Sequence, residues 1–249
     1  MVAAGVLIGG LGLLVTGLML GSAEPTDTDV AAPTPVDRAS NSVAHVTLVD
    51  EDGSTMVTGL VLDEAGHVLI PADVLGGVEE VWARCAGGVA EKVSLVGTDE
   101  ATNLAVLQFP EPMGTAASVA DSPPHVGVEV VAMYAKGGKD LMKRTGTVAS
   151  AGDAVAPSDT TATSIFASVT TRPEVTMLRA EVNDRPVDGR VTPADDLVGG
   201  LLFDGGGRFV GLATAVPPAP SNEEGRTSMV DVMPAQAAMD SATRIIDAS

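Results

Sequence analysis

The sequence predicts an all-β protein: two six-stranded antiparallel β-barrels with a C-terminal helix, preceded by one N-terminal transmembrane helix. Three observations carry this expectation. From residue 43 onward, short apolar runs alternate with turn residues in a chain holding 28 glycines and 16 prolines, the rhythm of short strands and tight turns. Hydrophobic residues make up 45% of the 249 residues but aromatics only 2%, so a core must be filled by Val, Leu, Ile, Ala and Met. Residues 2–21 form an almost wholly apolar run without charge, long enough at about 1.5 Å per residue to cross about 30 Å of hydrocarbon.

Residues 1–22 are therefore expected to be a transmembrane anchor, with an uncleaved signal sequence as the rival. Gly21-Ser22-Ala23 has the small residues of a cleavage site, but the apolar run is long for a signal and no Lys or Arg precedes it. Gly5 and Gly9, and Gly17 and Gly21, fit the spacing that lets membrane helices approach closely. Residues 23–42 carry Pro25, Pro33 and Pro35 among Thr, Asp, Ala and Ser without an apolar period, and read as a flexible or extended linker.

Residues 43–113 are expected to form the first barrel. Val43 to Val49 is its first strand, with Ala44, Val46 and Leu48 on one face. Glu51-Asp52-Gly53-Ser54 turns the chain into Met56 to Leu62, and Asp63-Glu64-Ala65-Gly66 turns it into His67 to Ile70. Glu80 to Ala86, Lys92 to Val96 and Leu104 to Phe109 complete the set. A stretch with Pro110, Pro112, Pro123 and Pro124 leads into the second half, residues 114–249. Its expected strands are Gly127 to Tyr134, Arg144 to Ser150, Thr163 to Thr170, Thr176 to Val182, Leu197 to Phe203 and Phe209 to Ala213. Ala235, Ala238, Met239, Ala242, Ile245 and Ile246 recur at helical spacing and predict a C-terminal helix over Ala235 to Ile246.

The formal net charge is −19. Such a surface repels phosphate backbones, which argues against nucleic-acid binding. It keeps a protein soluble and, as the sharper alternative, complements a basic protein or peptide partner. Cys85 is the one cysteine and reads as a small core residue. The three histidines, His45, His67 and His125, read as structural or solvent-facing. No ligand spacing points to a metal, and no cofactor is expected.

Four segments resemble the trypsin-like proteases, in particular the bacterial HtrA (Deg) branch. Gly66-His67-Val68-Leu69-Ile70-Pro71-Ala72-Asp73-Val74-Leu75 resembles that family's Gly-Tyr-Ile-Leu-Thr-Asn-Ala-His-Val-Val. Val96-Gly97-Thr98-Asp99-Glu100-Ala101-Thr102-Asn103-Leu104-Ala105-Val106-Leu107 resembles Val-Gly-x-Asp-x-x-x-Asp-Leu-Ala-Val-Leu. Val126 to Tyr134 with Thr145-Gly146-Thr147-Val148 is similar to the start of the second barrel. Asp195-Asp196-Leu197-Val198-Gly199-Gly200-Leu201-Leu202-Phe203 lies where the family carries Pro-Gly-Asn-Ser-Gly-Gly-Pro-Leu. No second binding module of the PDZ type is expected after the helix.

The resemblance implies a triad of Ser, His and Asp, but the matching positions hold Val198, Asp73 and Asn103. Valine has no nucleophilic atom, and an unperturbed aspartate titrates near 3.9, low for a base at neutral pH. At the family's oxyanion glycine stands Asp196, whose charge opposes a developing oxyanion. The expectation is a catalytically inactive homologue, a pseudoprotease rather than an enzyme. It would be held in the bacterial cell membrane by a single span with its globular domain outside the cytoplasm. It would bind a protein or peptide, or scaffold an envelope complex, through a cleft at Asp73, Asp195, Asp196, Val198 and Gly199. Arg179, Arg185 and Arg190 are within conceivable reach of the Asp195–Asp196 pair. The alternative is an active serine endopeptidase with a relocated nucleophile, Ser150, Ser164 or Ser168, paired with His67.

Overall fold

The computed structural model describes residues 34–135, 141–151, 178–183, 194–217 and 227–249. The expected anchor, linker residues 23–33 and the strand expected at Thr163 to Thr170 lie outside the described residues. Among the described residues no helix is long and apolar enough to cross a membrane.

Residues 35–41 depart from the expected extended linker. Pro35–Asn41 form a helix, α1. The Asp37 N–H donates to Thr34 Oγ1 at 3.2 Å and the Thr34 N–H donates to Asp37 Oδ2 at 3.1 Å. This reciprocal cap, with Pro35 in the first turn, starts a helix too short to show an apolar period. Ala39 is buried in the core, which seats α1 on the globular domain.

The first half follows its turn chemistry. The Asp50 carboxylate accepts the N–H groups of Asp52 and Gly53, both at 2.9 Å. It joins β1 (Val43–Asp50) to β2 (Gly53–Val61), with Val43 opposite Leu60 and Asp50 opposite Gly53. Asp63 does the same for Ala65 and His67 before β3 (His67–Pro71). Next come β4 (Glu80–Arg84), β5 (Glu91–Lys92), β6 (Ser94–Asp99) and β7 (Leu104–Gln108). Ala44, Val46 and Leu48 are buried on one face as expected.

These strands form a seven-stranded sheet in the order β5-β4-β1-β2-β3-β7-β6, not the expected closed six-stranded barrel. The single strand expected at Lys92 to Val96 is broken at Val93, whose N–H turns to the Val81 carbonyl at 3.0 Å. The short β5 stays with β4, while β6 pairs with β7.

The second half is a closed barrel ordered β10-β13-β12-β11-β8-β9. Its strands are β8 (Glu129–Tyr134), β9 (Met142–Ala151), β10 (Leu178–Asn183), β11 (Leu201–Asp204), β12 (Phe209–Ala215) and β13 (Thr227–Pro234). β13 is the strand that the sequence pattern did not disclose. Val230, Asp231, Val232 and Met233 are all buried, and the charged Asp231 interrupts what would otherwise read as an apolar run. The strand expected from Leu197 begins only at Leu201, because Ala194–Leu197 form a 3₁₀ turn. The C-terminal helix, α2, spans Ala235–Asp247 and buries Ala235, Ala238, Ala242 and Ile245 as its periodicity predicts.

Each β unit has its own interior. A third apolar cluster joins Leu60, Leu69 and Val106 of the sheet to Met133, Phe203 and Leu212 of the barrel and to Ala238 and Ile245 of α2. Phe203 and Phe209 meet edge to face there, with centroids 5.9 Å apart. Burial of this seam fixes the two units against each other, and one hydrogen bond crosses nearby, from the Ala135 N–H to Thr58 Oγ1 at 2.7 Å.

Candidate functional site

The sheet builds one wall of the site from two neighbouring strand ends. Pro71 closes β3 opposite Leu104, the first residue of β7. The Ala72 N–H then donates to the Asn103 carbonyl at 2.8 Å, and Asp73–Leu75 turn as a 3₁₀ helix. Asp73 and Asn103 are thereby brought to one place although 30 residues separate them in the sequence. Asn103 has φ of +57°, the only positive value at a non-glycine among the described residues. Asparagine accepts that conformation better than most side chains.

The Asn103 side chain bonds to the Asp73 carboxylate. Asp73 stands exposed at the rim, yet protein crowds its carboxyl enough for desolvation to raise its pKa. The Asn103 amide and the Val74 and Asp73 N–H groups pull the other way without cancelling that effect.

The barrel builds the opposing wall from the segment before β11. Gly199 has φ of +81°, where a side chain would be strained. Its N–H donates to the Ala213 carbonyl at 2.8 Å, and the Gly200 N–H donates to the Leu197 carbonyl at 2.8 Å. A Cβ at Gly200 would press on Leu197 O at 2.8 Å, and one at Gly199 would stand 3.5 Å from Pro71 Cγ. The Val198–Gly199 segment thus lies against the end of β3, two residues from Asp73. Asp196 and Val198 are half-buried, and the Asp195 side chain lies outside the described residues.

Asp73 and Asn103 supply a paired carboxylate and carboxamide, suited to accepting N–H donors. Among the described residues no three His, Cys, Asp or Glu side chains gather as a metal site.

Several other expectations resolve individually. Arg179 donates to Asp231 at 2.8 Å across the β10–β13 pair; Arg185 and Arg190 lie outside the described residues. His67 Nδ1 is 2.7 Å from Asp63 Oδ2. Ser150 sits in the barrel on β9, opposite Arg179, whereas His67 is in the sheet; Ser164 and Ser168 lie outside the described residues. His125 is exposed. Cys85 is buried, and burial pushes its thiol up to about 11, as befits a small core residue.

One structural cluster escaped the sequence reading. Asp99 accepts from Arg244 Nη2 at 2.7 Å, from Ser241 Oγ at 2.8 Å and from the Ala101 N–H at 2.9 Å. Desolvation pushes its carboxyl up, but Arg244, Ser241, Ala101 and Thr102 together hold it down at about 2. This cluster ties α2 to the loop that ends in Asn103. The Asp99 position was visible in the Val-Gly-x-Asp segment, but its partners were not.

No family model and no curated protein matches the chain. Solved structures do. An HtrA-type protease, AlgW with tripeptide, is 19% identical with a TM-score of 0.65, covering 86% of this chain and 63% of its own. A serine endoprotease from Yersinia pestis is 19% identical with a TM-score of 0.64, covering 86% of this chain and 65% of its own. The chain spans less than two thirds of the length of these proteins.

The expectation that the chain is not an enzyme is corrected by these matches, since its structural neighbours are proteases. The physical reason is that the identity of side chains at positions 73, 103 and 198 does not alter the backbone fold that the chain shares with these neighbours. Side-chain identity at three positions excludes the Ser-His-Asp relay there, not catalysis by other groups. The described chain has the trypsin-like fold of the HtrA-type proteases.

Proposed function

We propose that this HtrA-like chain is a membrane-tethered, extracytoplasmic subunit that binds an extended protein or peptide segment between its two β units, favours basic segments, and serves an envelope complex as a binding or scaffold component. The observation that carries the reading is the Asp73–Asn103 pair facing a glycine turn packed on Pro71. A carboxylate and a carboxamide at the mouth of a cleft bind backbone N–H groups and cationic side chains. The net charge of −19 draws basic segments toward it. The neighbour solved with a tripeptide supports a peptide as the ligand class. Position 198 is a valine and offers no hydroxyl for serine attack. Residues 2–21 would supply the tether; retention in the pellet after alkaline carbonate extraction checks it, and release would count against it.

The test is fluorescence anisotropy of labelled, reduced and carboxamidomethylated lysozyme, an unfolded basic chain, titrated with the full-length protein in detergent. Val198→Trp fills the cleft and Asp73→Asn removes its charge. Each is expected to weaken binding about tenfold or more. Unchanged affinity in both, with unchanged circular dichroism, would refute the reading.

A second reading, hydrolysis by a nucleophile away from residue 198, is favoured by the protease neighbours and by the His67–Asp63 contact of 2.7 Å. Stoichiometric, heat-sensitive labelling by a fluorophosphonate would establish it. Labelling that survives heat denaturation would dismiss it.

A further inference from the structure

The first and last strands of the sheet, β5 and β6, are consecutive in the chain and meet at Val93, whose N–H bonds the Val81 carbonyl of β4, so the outer edge is free only along β6 beyond that residue. The β5 edge is only two residues long and consists of Glu91 and Lys92, a short charged edge of the kind that resists pairing. The β6 edge is six residues long, pairs only with β7 among the described residues, and carries no charge from Ser94 to Thr98. Leu95 on it is 54% exposed, one of three large apolar residues so placed among the described residues. Beside it runs an open groove of about 520 Å³, lined by residues 96–101 and by Arg244, Ile245, Ala248 and Ser249. A bulge between Leu95 and Gly97 lets Val96 pack against the cluster containing Ile245. From Gly97 to Asp99 the strand keeps a regular register.

We propose that the β6 edge and its groove take an extended, lysine- or arginine-bearing peptide segment as an added strand. An unpaired edge supplies a row of backbone donors and acceptors, and a flanking groove receives alternate side chains. Charge decides the occupant. A second copy would bring −19 against −19, whereas a basic segment meets exposed Glu100 beside the Asp99–Arg244 pair. This site is separate from the Asp73–Val198 cleft and does not depend on it. Because Asp99 begins the loop that ends in Asn103, an occupied edge would also stiffen one wall of that cleft.

The probe is a fluorescein-labelled hexapeptide of alternating valine and lysine, added to the full chain in detergent. Saturable binding is expected, with slowed hydrogen exchange at Ser94–Asp99. Leu95→Lys and Glu100→Lys, both at exposed positions, should each weaken binding about tenfold. The same peptide N-methylated at alternate residues keeps its charge but loses strand donors, and should not bind. Equal binding of the methylated peptide, wild-type affinity in Leu95→Lys, or absence of binding would each overturn the proposal. So would a concentration-dependent dimer abolished by Leu95→Lys, which would assign the edge to a second copy. Loss in Val198→Trp without loss in Leu95→Lys would move the peptide to the cleft and equally refute the edge site.

Discussion

The barrel of β8 to β13 closes on itself through backbone pairing all the way round, whereas the sheet of β1 to β7 stays open and is finished by side chains from α2. In the barrel, tolerance is set by how closely strands approach. A Cβ at Gly146 would land on the Glu181 carbonyl, and one at Gly211 on the Met233 carbonyl. In the sheet, tolerance is set by the Asp99 cluster, which joins two elements distant in sequence. The barrel should therefore resist added bulk where it meets backbone, and the sheet should carry the response to falling pH.

The sharpest way to break this contrast is Gly146→Val. It should cost about 3 kcal/mol or more, since the β9–β10 pair cannot move apart without opening the barrel. Urea denaturation measures it, and a loss below about 1 kcal/mol would show the barrel to be more yielding than its packing implies. Next is Arg179→Ala, which strands an Asp231 carboxylate only 3% exposed and should cost about 2 kcal/mol in the same assay. Asp231→Asn on the Arg179→Ala background should recover part of that loss, because it removes the buried charge.

In the sheet, Arg244→Ala should cost less, about 1 kcal/mol, because Ser241 and the Ala101 N–H still hold Asp99. Asp99 also gives a pH signature. Its folded value of about 2 lies below the unbonded 3.8, so the folded state favours the charged form. The stabilisation is complete above about pH 4 and fades as pH falls toward 2. Asp99→Asn should thus differ from the wild type by about 1–2 kcal/mol at neutral pH and converge with it near pH 2. A constant difference across that range would remove Asp99 as the source. The smallest stability effect belongs to Asp73→Asn. At an exposed site it should change stability by less than about 0.5 kcal/mol while weakening the binding of unfolded lysozyme.

The same contrast governs what could be read in advance. Alternating strands and unbroken apolar runs announce themselves, and β1, β2, β3 and β7 lie within a few residues of their expected positions. β13 does not, because Asp231 breaks its apolar run and is held in the interior by Arg179. The turn before β11 hid inside an apolar run, where only Gly199 and Gly200 signalled that the chain must bend. α1 was encoded by Thr34, Pro35 and Asp37 rather than by apolar spacing. At the site, similarity of short segments was enough to select Asp73 and Asn103, and their contact follows from the β3–β7 pairing. The tie from Asp99 to Arg244 spans 145 residues; no local pattern encodes it, since it exists only once α2 has packed on the seam between the units.

Hydrogen exchange on the full-length protein with and without unfolded, carboxamidomethylated lysozyme tests the binding account most directly. Protection is expected to concentrate at residues 72–74, 103–104 and 198–201, the two walls of the cleft. Saturable binding that leaves all three segments exchanging at their free rates would contradict it.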